Sequence, residues 1–199
     1  MPERRAILGI AGPPGAGKTT LAVAMVAALA ADPPQGCAAD WVAHVAMDGY
    51  HLADVELVRL GRLDRKGAPD TFDAAGYAEL LRRLRRCGDE TVYVPAFDRR
   101  IEQPIAGAIA VEPTCRLVVT EGNYLTVDRD EWHTVKAQLD VVWYCELDDR
   151  VRRERLVARH VEFGKSRDAA KKWMLSVDEP NAQLIKLSRS RADLIVEMK

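Results

Sequence analysis

Several large classes of protein are excluded by what this chain has little of. It has four cysteines in 199 residues: Cys37, Cys87, Cys115 and Cys145. They lie far apart and form no C-x-x-C pair. That spacing excludes a disulfide framework and a cysteine-built metal centre, and points to a reducing compartment, the cytoplasm. Charge of either sign is not in excess: 29 basic and 30 acidic residues leave a net charge of −1. No global field draws the chain to nucleic acid or to a membrane surface. Long apolar runs are also missing. The longest, about Leu21 to Ala31, falls well short of the ~20 residues that a membrane span needs. The start, Arg4-Arg5 before an apolar run, mimics a secretory signal. A glycine loop interrupts it, and no small-residue cleavage site precedes that loop. Repeats, low-complexity tracts and interdomain linkers are absent as well, so a single domain over 1–199 with a real core is expected.

What is present is concentrated near the start. Gly12-Pro13-Pro14-Gly15-Ala16-Gly17-Lys18-Thr19 spells G-x-x-x-x-G-K-[ST], the phosphate-binding loop. Ala6–Ala11 before it reads as a buried strand, and Thr20 to Ala30 after it as a helix. Strand, glycine loop and helix are the setting the motif needs. Glycines let consecutive backbone N–H groups turn onto phosphate oxygens, and the helix points its positive end at the same anion. Lys18 reaches the β- and γ-phosphates, and the Thr19 hydroxyl suits Mg²⁺. The loop and Thr20 are therefore the expected ATP-binding segment.

Further apolar runs predict strands at 42–47, 116–120, 141–145 and 192–196. Helical patterns lie at 18–30, 73–86, 129–138, 148–162 and 167–187. This alternation predicts an α/β fold, a three-layer sandwich around a five-stranded, mainly parallel sheet. Segment 91–111 differs. Its short strands, 91–95 and 108–111, flank a charged loop and predict a small edge hairpin. In such sheets ligands bind beyond the carboxyl ends of the strands. The loop follows the first strand, Asp48-Gly49-Tyr50-His51 follows the second, and Glu121-Gly122-Asn123-Tyr124 ends the third. A phosphate cradle and two carboxylates thus converge.

Phosphoryl transfer needs charge neutralisation, in-line geometry and an acceptor for the nucleophile's proton. Asp48 suits the general base and Glu121 the Mg²⁺ shell, although either carboxylate can serve either role. On 148–162, Arg152, Arg155 and Arg159 fall at i, i+3 and i+7 and share a helix face. That face suits a helical lid, about 148–172, closing over ATP phosphates, with Arg155 and Arg159 as the candidate contacts. Gly164 allows a turn after it. Trp41, Trp132, Trp143 and Trp173 read as packing residues rather than base-stacking platforms.

Four segments in order, Met47–His51, Arg65–Asp73, Pro95–Arg99 and Glu121–Leu125, resemble the uridine kinase / phosphoribulokinase / bacterial pantothenate kinase group over about 6–197. Closest are its short nucleoside- or sugar-kinase-like members. The resemblance implies transfer of the ATP γ-phosphoryl group to a hydroxyl of a small metabolite, with Asp48 as base. It also implies an acceptor pocket drawn from the segments 66–73 and 95–100. His51, Lys66, Asp98, Arg99 and Tyr124 are the candidate substrate residues. Asp178-Glu179-Pro180-Asn181 resembles the group's late Asp-x-x-Asn element, and a homodimer is compatible with the resemblance. Two departures bear on the acceptor. Segment 95–102 has no histidine, against pantothenate, and Asp48-Gly49-Tyr50-His51 replaces the Asp-Ser-Phe-Tyr usual for uridine. A sugar phosphate would need a basic site, which Arg99 and Arg100 supply.

Two other functions share the phosphate loop. A GTPase would use Asp73-Ala74-Ala75-Gly76 as D-x-x-G, but that segment follows no apolar strand and no Asn-Lys-x-Asp follows. An ATP-hydrolysing binding or assembly factor would use the loop and Glu121 but has no need of Asp48.

Overall fold

The computed structural model describes residues 4–86 and 88–199. Its centre is a five-stranded parallel sheet in the order β2-β5-β1-β6-β7. The strands are β1 (Ala6–Ala11), β2 (Val42–Ala46), β5 (Leu117–Gly122), β6 (Val141–Glu146) and β7 (Leu194–Glu197). These are the five predicted strands, each displaced by no more than two residues at either end. β5 runs further than predicted, through Glu121 and Gly122, and pairs along its length with β1.

Period-two alternation explains the layers. Ile7 and Ala11 of β1 and Val118 of β5 belong to one core cluster, which holds Tyr77, Leu81 and Leu84 of α3 (Ala74–Arg85) and Trp132 and Val135 of α4 (Trp132–Lys136). Ile10 and Val119, facing the other way, belong to a second cluster beneath α1 (Lys18–Ala31), with Ala22, Leu21 and Met25. A strand buried on both faces reads as an unbroken apolar run, as the parallel strands do here.

The hairpin β3 (Val92–Asp98) and β4 (Gln103–Val111) forms its own antiparallel two-stranded sheet. It lies over the 3₁₀ turn 47–50 that follows β2. Gly49 permits that approach, since a Cβ there would meet the Pro95 carbonyl oxygen at 2.5 Å.

Two predicted helices differ. The segment 129–138 is helical only over α4, because Asp130 adopts φ +49°, the left-handed region, and breaks the first turn. The segment 167–187 is α6 (Arg167–Trp173) and α7 (Glu179–Leu187), joined by a π-helical turn, Met174–Asp178. Pro180 has no N–H to donate, and the wider turn absorbs the break in the ladder. The short α2 (Asp54–Arg59) lies in a stretch for which the apolar pattern predicted no helix.

Arg5, beside the signal-like start, is buried. Its guanidinium donates to the carbonyls of Cys115 and Leu84 at 3.0 Å and of Arg86 and Glu112 at 3.1 Å. Arg5 is a core residue that ties β1 to the ends of α3 and β4. Cys37, Cys115 and Cys145 are free thiols; Cys87 lies outside the described residues. Among the described residues no helix is long and apolar enough to cross a membrane.

Candidate active site

The carboxyl ends of β1, β2 and β5 open into one cavity of about 350 Å³. β1 delivers the phosphate loop, whose Gly15 has φ +80°. A Cβ at Gly15 would meet Leu156 Cγ at 2.8 Å and the Arg152 carbonyl at 2.9 Å, so only glycine lets α5 (Asp149–Glu162) lie this close to the loop. Lys18 is buried. Its Nζ donates to the Pro13 carbonyl at 3.1 Å and to Asn123 Oδ1 at 2.7 Å. Burial lowers its pKa from the ordinary lysine value, while Glu121 and Asp48 oppose that shift.

Thr19 Oγ1 donates to Glu121 Oε1 at 2.9 Å. A hydroxyl and a carboxylate in contact beside a phosphate loop are hard oxygen donors of the kind Mg²⁺ takes along with substrate phosphates. Among the described residues no group of three or more His, Cys, Asp or Glu forms a metal cluster. This pair therefore suits an ion held largely by nucleotide oxygens and water. His44 Nε2 is buried without a hydrogen-bond partner, 3.9 Å from the same Glu121 oxygen. That unsatisfied atom marks polar capacity around the pair.

The two carboxylates are driven apart. Burial pushes Asp48 up, but His51, Arg99, Lys18 and Arg159 outweigh it and hold the group below the usual aspartate value. Glu121 is raised, by burial and then by the Asp48 charge. Such divergence separates the roles of paired acids.

The predicted acceptor residues divide. His51 lines the cavity. Its Nδ1 lies 2.9 Å from the Asp48 carbonyl, and its ring sits 4.0 Å from Phe72 and 4.6 Å from Phe97, centroid to centroid. Lys66 lines it too, tied to Asp54 Oδ1 and to the Glu102 carbonyl. Arg99 Nη2 donates to Asp48 Oδ2 at 2.9 Å. Asp98 is not a lining residue. It accepts from Arg100 N and the Arg100 guanidinium at the hairpin turn. Arg100 is 87% exposed, so of the Arg99–Arg100 pair only Arg99 faces the cavity. Tyr124 lies beneath the wall, fully buried, its hydroxyl donating to the Gly67 carbonyl.

The three arginines of α5 separate as well. Arg152 is buried, and its guanidinium donates to Asp149, to the Pro14 carbonyl at 3.3 Å and to Glu179 at 2.6 Å. It clamps the helix to the loop and to α7 and is not turned to the cavity. Arg155 and Arg159 line a second groove of about 490 Å³ with Gly17, Thr20 and Met198, and Arg159 lines the main cavity as well. Arg155 donates to the Lys199 carbonyl. No hydrogen bond ties Arg159 to any of the described residues.

Residue-by-residue reading missed part of the wall. The sequence pattern assigns Asn123 no role, yet its Oδ1 accepts from Lys18. His160 Nε2 and Asp178 Oδ2 lie 2.7 Å apart at the cavity edge. Trp173, read as packing, lines the cavity under Lys165, whose Nζ stands 5.1 Å from the ring centroid. No spacing rule in the sequence joins 123 to 18 or 160 to 178; the fold does.

Glu179 accepts from Arg152, Arg153 and Gln183, and the Arg153 hydrogen bond leads in pulling its pKa from 4.5 to about 2. A group with a depressed folded pKa stabilises above its unfolded value and loses that stabilisation as pH falls through the window. Thermal midpoints of the unaltered chain and Glu179→Gln should therefore differ most above pH 4.5 and converge as pH falls toward 2. An unchanged difference across that window would show that Glu179 does not anchor α5.

The fold and the loop define a nucleoside-triphosphate-binding protein of the phosphate-loop class. The model of the phosphoribulokinase / uridine kinase family matches residues 7–199, and the chain belongs to that family. A candidate fructose transport system kinase from Silicibacter sp. TM1040 superposes with a TM-score of 0.84 at 38% identity, covering 98% of this chain and 91% of that one. An ATP-dependent kinase-like protein of Aspergillus versicolor is 37% identical over 152 residues, 72% of this chain and 88% of its own. A candidate uridine kinase of Schizosaccharomyces pombe is 33% identical over 166 residues, 81% of this chain and 69% of its own. The chain is thus a phosphate-loop kinase by family and by fold.

Proposed function

We propose that the protein transfers the γ-phosphoryl group of Mg²⁺–ATP to a hydroxyl of a small polar metabolite in the cytoplasm. One observation carries the reading: a second carboxylate, Asp48, shares the cavity with the phosphate loop and is paired with Arg99, whereas Glu121 is paired with Thr19. Simple hydrolysis has no need of an acceptor-side base roofed by a hairpin. Lys18 and the loop N–H groups bind the phosphates. Thr19 and Glu121 would hold Mg²⁺, which supplies charge neutralisation at the phosphate oxygens. Asp48 takes the proton of the acceptor hydroxyl, and Arg159 offers its guanidinium to the charge that builds on the transferring group. Lys66, Arg99, His51 and Phe97 line the same cavity as Asp48, which suits a polyol or a similarly polar molecule. The likeness to a candidate fructose transport system kinase supports an acceptor of sugar type.

The test is ADP release from Mg²⁺–ATP against nucleosides, pentoses, hexoses, their phosphates, pantothenate and related vitamins. One acceptor should stimulate release strongly and yield a product heavier by one phosphoryl group. Steady hydrolysis that no acceptor changes, and that Asp48→Asn leaves intact, would instead identify an ATP-driven binding factor.

A further inference from the structure

Arg99 stands where the two halves of the site meet. It lies in the turn between β3 and β4 and lines both the acceptor cavity and the groove beside the phosphate loop. Its guanidinium holds Asp48 at 2.9 Å and lies 5.9 Å from the centroid of the Phe97 ring. Its side chain is 36% exposed, which leaves solvent-side room for the fork to turn. Arg159 faces the same junction, close enough that the Arg99 charge disfavours its own. Glu121 and Asp48 face Lys18, and Asp178, Asp48 and Glu102 face Arg159, but among the described residues the Arg99 fork itself is hydrogen-bonded to the Asp48 carboxylate alone. A terminal phosphoryl group, with three oxygens and up to two charges, offers that fork a second anion to hold.

We propose that Arg99 exchanges partners, holding the Asp48 carboxylate in one state and the terminal phosphoryl group of a bound nucleoside triphosphate in the other. This rests on the kinase reading and deepens it. Binding of the triphosphate then does two things at once. It brings a third cation to the transferring group, and it releases Asp48 to accept a hydrogen bond from the acceptor hydroxyl. The base becomes available when there is a phosphoryl group to transfer, so one side chain couples the two substrates.

The test needs no knowledge of the acceptor. Binding of Mg²⁺–ADP and of the Mg²⁺ complex of the β,γ-imido analogue of ATP is measured by calorimetry. The proteins are the unaltered chain, Arg99→Gln, Asp48→Asn and the double variant. Arg99→Gln should weaken the triphosphate analogue about tenfold, the size of one charge-assisted hydrogen bond, and leave ADP nearly unchanged. Asp48→Asn should tighten the analogue, and do so clearly less in the Arg99→Gln background, where there is no pair to break. A crystal structure of the unaltered chain with the analogue should show Arg99 on the terminal phosphoryl oxygens and off Asp48; this arm does not depend on any variant folding. Equal weakening of both nucleotides by Arg99→Gln, or an Arg99–Asp48 pair that persists beside the bound analogue, would overturn the exchange. If the unaltered chain binds neither nucleotide, the kinase reading itself fails and the exchange with it.

Discussion

Lys18→Ala should lower phosphoryl transfer by about 10³-fold while leaving the fold intact. The first half follows from position. Lys18 is the buried cation of the loop, and its two hydrogen-bond acceptors, the Pro13 carbonyl and Asn123, are neutral. Its charge is therefore available to phosphate oxygens. A preorganised donor aimed at developing charge is worth roughly 10²–10³ in rate, and Lys18 adds a full charge to the hydrogen bond. The second half follows from burial. Desolvation already works against the Lys18 ammonium, so removing it relieves a cost. The Asn123 amide left behind lines a cavity that water can enter. A thermal midpoint within a few degrees of the unaltered chain, with turnover lost, is the expected pair of results. Retained turnover would mean that the loop does not hold the transferring phosphate. A collapsed midpoint would mean that Lys18 is a structural cation.

The sheet and the loop were legible in the sequence because each is written locally. A parallel strand buried on both faces is an unbroken apolar run, and the glycine loop has fixed spacing. The strand ends were legible for the same reason, and with them the positions of Asp48 and Glu121, while the loop spacing placed Thr19. Contacts between distant segments were not. Arg152, Arg155 and Arg159 share a helix face by spacing, but spacing is silent on what that face meets. Arg152 meets Glu179 and the Pro14 carbonyl, whereas Arg159 meets open cavity. Arg99 and Arg100 are likewise equivalent as neighbours in sequence. The hairpin turn sends one to Asp48 and the other to solvent beside Asp98. The π-helical turn at 174–178 was hidden because an unbroken helical pattern carries no mark of ladder register; Pro180 was its one signal.

Asp48→Asn should lower transfer at least about 10²-fold while Mg²⁺–nucleotide binding survives, and the matched variant Glu121→Gln should fail differently. Removing a positioned general base costs roughly 10²–10⁴ in rate. Asparagine keeps the shape and can still bind a hydroxyl, but it cannot take the proton. Asp48 is held ionised by His51, Arg99, Lys18 and Arg159 in spite of burial, so the carboxylate is in its proton-accepting form at neutral pH. Glu121 is raised instead and is tied to the Thr19 hydroxyl. Its loss should appear as a higher Mg²⁺ requirement, partly rescued by added Mg²⁺, whereas added Mg²⁺ should leave Asp48→Asn unmoved. The comparison is a titration of turnover against Mg²⁺ for the two variants side by side. Rescue of Asp48→Asn and not of Glu121→Gln would exchange the two roles. Normal transfer by Asp48→Asn would remove the base from the mechanism and leave positioning by the loop, Lys18 and Arg159 to account for the rate. That outcome is physically admissible, because phosphoryl transfer passes through a loose transition state in which the hydroxyl proton departs late. A fully active Asp48→Asn would therefore still leave a kinase, but one in which Asp48 serves only as the partner of Arg99.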